Sequence, residues 1–131
     1  MTRPRPGSER GQSTVELALV LPVVVLLLLV LLQVGLVARD VVLVAHAARE
    51  GARAAAVDPD AGAAREAVEA SAGLDPDRLE VHTSGRDGPG SRVRVEVTYR
   101  IPTNVPVIGH LLGDHTAKSA VTMRVEVPET P

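Results

Sequence analysis

The chain has 131 residues, a formal net charge of -2, no cysteine, tryptophan or phenylalanine, and a single tyrosine, Tyr99. That bounds it to one small domain and excludes disulfides, thiolate metal sites, cysteine nucleophiles and a lipid-modified N-terminal cysteine. With no basic excess to meet phosphates and one aromatic ring to stack on bases, nucleic acid is not an expected partner.

The first element is an apolar block. Leu17 to Ala38 is 22 residues without a charge, broken only by Pro22, Gln33 and Gly35. A helix of that length rises about 33 Å against about 30 Å of hydrocarbon, so it spans a lipid membrane. A cleaved secretory signal has an apolar region of only about 7 to 15 residues, which favours retention of the block. The A-x-A pattern at Ala45 and Ala47 keeps a secreted small domain as a third reading. Arg3, Arg5 and Arg10 precede the block and Arg39, Arg49 and Arg53 follow it. The terminal amine tips this tie toward a cytoplasmic N-terminus and an extracytoplasmic C-terminal domain in the cell membrane.

Glu16 stands at the lip of the block, where a plain anchor has no use for a carboxylate. At the bilayer centre such a charge costs about 2.5 to 3.5 kcal/mol; snorkelling at the edge reduces this and leaves a preference for a cationic partner. The alternative is an acid favoured by the dipole at a helix N-terminus.

Gly11, then Glu16, then an apolar helix with Pro22 resembles the cleavage region of type IV prepilin-like proteins. The wider string GQSTVELALVLPVVVLLLL, with AAREGARAAA at Ala47 to Ala56, resembles the TadE-like (TadE/TadG) minor pseudopilins of tight-adherence, Flp-type pilus systems. The resemblance implies that a prepilin peptidase cuts after Gly11 and makes Gln12 the new N-terminus. It implies pilus or pseudopilin subunits as partners. Major Flp pilins carry tyrosine after the glutamate, whereas Leu17 follows here. Cleavage would remove Arg3, Arg5, Glu9 and Arg10 and expose an amine four residues before Glu16, about one helical turn away on the same face. That amine, or a neighbouring subunit's, would offset the cost of holding Glu16 at the hydrocarbon edge and set axial register.

No proline or turn cluster follows Ala38 until Asp58 and Pro59, so the helix is expected to run to Val57 as a stalk. Gln33 seeks a hydrogen bond inside lipid, worth about 0.6 to 2 kcal/mol between helices, and points to association. Ala47, Gly51 and Ala55, with Ala48, Ala52 and Ala56 beside them, form small-residue stripes. They read equally as an assembly face or as an alanine-rich helix with one weak point at Gly51. Arg49, Glu50 and Arg53 read as a solvated face.

Beyond Asp58 the pattern turns to alternation. A second helix is expected up to Ala72, capped by Asp58 or Asp60 and ended by Gly73, with Val68 its only large apolar residue. Strands are expected at Leu79 to Thr83, at Val93 to Ile101 and at Val121 to Val127, the first two joined by a glycine-rich hairpin from Gly85 to Gly90. The connection Pro102 to Thr116 reads as a core plug ahead of a partner contact. The tails, Met1 to Gly11 and Pro128 to Pro131, are expected to be disordered.

The expected fold class is therefore α+β and pilin-like, with a long N-terminal transmembrane helix continuing into a stalk, a short second helix and a small three-stranded antiparallel sheet. Residues 1–11 form a cytoplasmic leader, 12–57 the transmembrane helix and stalk with its membrane span at 17–38, and 58–131 the extracytoplasmic domain. His46, His82, His110 and His115 have no zinc-ligand spacing. Ser84 and Ser91 lack a nucleophile elbow, and no phosphate or dinucleotide motif occurs. No catalytic, cofactor or metal residues are expected, and the chain is read as a binding protein. The rival reading is a single-pass, membrane-tethered extracytoplasmic binding or sensory module.

Overall fold

The computed structural model describes residues 8–103, 105, 109 and 113–126. Helix α1 (Ser8–Val57) is followed by α2 (Ala63–Ala72), a 3-10 turn (Pro76–Arg78), and strands β1 (Leu79–Ser84), β2 (Arg92–Ile101) and β3 (His115–Arg124). The strands form one antiparallel sheet in the order β1-β2-β3. The α+β architecture is the expected one.

α1 runs unbroken through Pro22 to Val57, because helix formers fill the stretch and Asp58-Pro59 ends it. Its first residues, Ser8 to Gly11, are helical and not part of a disordered tail. α2 departs from expectation at its start. Neither aspartate caps it: Gly62 holds the N-cap position without a side-chain bond. Asp58 instead accepts from the Asp60 N–H at 2.9 Å, and Asp60 from the Gly62 N–H at 3.0 Å. The acidic side chains are thus used in two successive Asx turns that reverse the chain. Gly73 ends α2 at φ 58, as its lack of a Cβ permits.

β3 also differs, beginning at His115 and not at Val121. His115 to Ala120 has no apolar alternation, yet pairs residue by residue with Glu96 to Ile101 of β2. A ten-residue partner strand imposes extended backbone on a segment of weak β propensity. Thr116 therefore belongs to the strand and not to the connection. Within that connection Val105 is buried, as a core plug requires. Val107, Ile108, Leu111 and Leu112 lie outside the described residues, as do Val127 and the tail from Pro128.

β2 alternates throughout: Val93, Val95, Val97, Tyr99 and Ile101 are buried against α1 while Arg92, Arg94 and Arg100 face outward. α2 packs on α1 from the same side of the sheet, burying Ala64 and Val68. β3 climbs along α1: His115 lies beside Ala38, and the Glu126 N–H donates to the Ala56 carbonyl at 3.0 Å. The head is thus built around the second half of α1.

Candidate functional site

The membrane-side half of α1 has no partner within the described chain. Leu17, Leu19, Val23 and Leu28 are exposed, Leu19 to 71%. An apolar cylinder of this size is incompatible with water and needs lipid or other helices around it. Glu16 is exposed on this surface and lies in no ion pair among the described residues. Gly11 and Gln12 sit in the first turns of the same helix, also exposed. Gln12 and Glu16 are one turn apart, as their spacing requires.

The head takes hold of α1 at Gln33, which is only 3% exposed. From there one stripe is covered: Val37 in part, then Val44, Ala47, Ala48, Ala52 and Ala55. The helix is thus uncovered from Gly11 to Leu32, and beyond Gln33 it is covered along that stripe while Val34, Val41 and Val42 stay exposed. Gln33 is buried, and its Oε1 has no hydrogen-bond partner among the described residues. It lines an apolar cleft of about 340 Å³ with Val30, Val34, Val37, Ala38 and His115.

Ala47, Gly51 and Ala55 lie inside the molecule's own core. A Cβ on Gly51 would stand 2.6 Å from Val68 Cγ2, 3.2 Å from the Ala64 carbonyl oxygen and 3.3 Å from Val95 Cγ1. The small-residue stripe is where α2 and the sheet close on α1, so the face it forms is occupied within the chain. Gly51 is the point of nearest approach, and that contact makes its poor helix propensity tolerable.

Arg86 makes a structural contact that sequence reasoning missed. α1 has no basic residue in its last turn. Arg86, in the hairpin between β1 and β2, reaches across and donates from Nη1 to the carbonyls of Ala55 and Asp58. A guanidinium there meets orphan carbonyls and the negative end of the helix dipole together. The one clue in the sequence is that no basic residue follows Arg53 in the last turn of the helix.

His46, His82 and His115 are exposed and separate, while His110 lies outside the described residues. Among the described residues no group of three or more His, Asp or Glu is placed to hold a metal ion. Ser91 Oγ donates to the Gly88 carbonyl at 2.6 Å, a turn contact within the hairpin.

These features define a protein with, among the described residues, one helix long and apolar enough to cross a membrane, carrying a small α+β head on its far half. Residues 11–53 match the family model described as TadE-like protein. The match covers about a third of the chain, running from the glycine before the apolar block to the alanine-rich stalk. This is the family that Gly11, Glu16 and the stalk string resemble. No curated protein and no solved structure gives a significant match.

Proposed function

We propose that the protein is a minor pseudopilin of a tight-adherence pilus, anchored with its N-terminus in the cytoplasm and its head outside. It acts by packing α1 against the helices of other pilus subunits. The observation that supports this reading is the coincidence of the unpartnered apolar helix Gly11 to Leu32 with the segment that matches the TadE-like family.

Depth makes the role of Glu16 concrete. With the head's lower edge at Gln33 taken as the outer boundary, about 20 residues fill the hydrocarbon and the inner boundary falls near Ser13. Glu16 then lies about 4 Å inside, where an uncompensated carboxylate is unfavourable. Cleavage after Gly11 by a prepilin peptidase supplies an amine at Gln12, which pairs with Glu16 of its own or a neighbouring chain. The scissile bond lies in the first turns of α1, where intrahelical hydrogen bonds are fewest and local opening costs least. Gln33, which the sequence offers as a second assembly position, is buried within the chain's own fold, so its Oε1 is not open to an adjoining helix. Ala47, Gly51 and Ala55 serve assembly indirectly, by holding the head on the helix.

Mass spectrometry of the N-terminus in cells tests the reading: a start at Gln12 is expected. Glu16→Ala should insert normally and lose incorporation into the pilus complex. An intact leader together with normal incorporation of Glu16→Ala overturns the proposal in favour of a tethered binding module.

A further inference from the structure

The charges of the head are segregated. On the outer face of the sheet the register places Arg92, Arg94, Arg100, Lys118 and Arg124 against only two carboxylates, Glu80 and Glu96. Both carboxylates are already engaged, with Arg100 to Glu80 at 3.6 Å and Arg94 to Glu96 at 3.7 Å. Arg92 and Arg124 are direct cross-strand partners, both exposed, and neither has an ion pair among the described residues. Like charges opposite one another destabilise a sheet, so the isolated head carries an unfavourable pair in a chain whose net charge is negative.

The complementary surface lies where α1 ends and α2 begins, with Asp58, Asp60 and Glu66 exposed. Of the nearby cations, Arg65 pairs with Glu69 at 2.8 Å and Arg86 donates to the backbone carbonyls of Ala55 and Asp58, so the carboxylates of Asp58, Asp60 and Glu66 lie in no ion pair among the described residues. The two clusters stand at the same height. Glu126, two residues past Arg124, bonds the Ala56 carbonyl, two residues before Asp58. They cannot meet within one molecule, because α2 lies on the α1 side of the sheet while the arginines point away from it.

We propose that the outer sheet face, centred on Arg92 and Arg124, docks onto the Asp58–Asp60–Glu66 surface of a second copy of this chain. Copies inserted in one membrane share polarity and depth, so lateral approach brings clusters of equal height and opposite sign together. The two surfaces differ, so the contact is head-to-tail and propagates. The inference rests on membrane insertion of α1 and not on cleavage at Gly11.

The chain has no cysteine, so introduced thiols are unambiguous. Thr122→Cys on the outer sheet face and Ala61→Cys beside Asp60 leave every charge in place. The full-length single-cysteine chains are mixed, reconstituted in phosphatidylcholine vesicles and treated with a short bis-maleimide. The expected result is a crosslinked pair from the mixture, little from either chain by itself, and a ladder from the double-cysteine chain. Arg92→Glu with Arg124→Glu on the Thr122→Cys chain should lower the yield by roughly tenfold or more, and Glu66→Arg on the Ala61→Cys chain should recover it. Near-ultraviolet dichroism of Tyr99 confirms that each variant is folded. A preference for sheet-to-sheet crosslinks between Thr122→Cys chains overturns the proposal. So does a yield indifferent to the charge reversals, or a face that responds only to added phosphatidylglycerol. Crosslinking through Leu19→Cys in α1 reports helix packing separately; its persistence under the charge reversals leaves the pseudopilin reading standing.

Discussion

Gly51→Ala is a sharp test of how the head is held on the helix. The added methyl would lie 2.6 Å from Val68 Cγ2, where carbon atoms prefer about 3.5 to 4.0 Å. Val68 is β-branched and stiff within α2, and the Ala64 carbonyl and Val95 close two further sides, so relief requires α2 to move away. Overpacking of this kind costs about 1 to 3 kcal/mol. The gain in helix propensity from glycine to alanine returns about 1 kcal/mol. The net expectation is a loss of about 1 kcal/mol, or roughly 5 °C in melting temperature for so small a unit. Val68→Ala by itself is also destabilising, by about 1 to 3 kcal/mol, because it leaves a cavity. In the double variant the new methyl enters the vacated space, so the two losses should fall short of additivity by about 1 kcal/mol. The measurement is urea unfolding of the full chain in detergent, followed by near-ultraviolet dichroism of Tyr99, which is 5% exposed in the core. A Gly51→Ala chain about 1 kcal/mol more stable than the parent, or strict additivity, would refute the close-approach argument.

The other predictions concern polar groups. Arg86→Ala should cost about 1 to 2 kcal/mol by stripping the α1 carbonyls of their donor, with Arg86→Lys restoring part of it; the same unfolding assay reads both. Gln33→Leu removes a buried acceptor with no partner among the described residues, and so should leave the chain equally or more stable, by up to about 2 kcal/mol in the same unfolding assay; a clear loss of stability would argue against an unpaired Oε1. Glu16→Gln keeps the size of the side chain and removes the charge, so it should insert like the parent and assemble as poorly as Glu16→Ala; normal pilus incorporation would argue against pairing with an amine.

The elements readable from local pattern are those whose burial follows from one periodicity. The uncharged run Leu17 to Ala38 dictates a membrane-length helix because any other conformation would leave backbone groups unsatisfied in lipid. β2 is equally plain, since strict alternation from Arg92 to Ile101 suits only a strand with one wet face. Gly11, Glu16 and the stalk string were sufficient to indicate the family, because chemistry and spacing reside in one continuous segment.

What the tertiary structure decided were the relations between distant segments. His115 to Ala120 became strand because β2 offered a ladder, and the aspartates before α2 went into turns because the chain had to reverse there. Whether Ala47, Gly51 and Ala55 faced outward or inward was undetermined by their spacing, since a small-residue stripe suits any close neighbour; the packing of α2 and the sheet turned it inward. Arg86 meets the end of α1 across 31 residues of sequence, a contact that local pattern cannot encode. The segregation of charge follows from register in the same way, because alternation assigns a residue to a face and only strand pairing places Arg92 opposite Arg124.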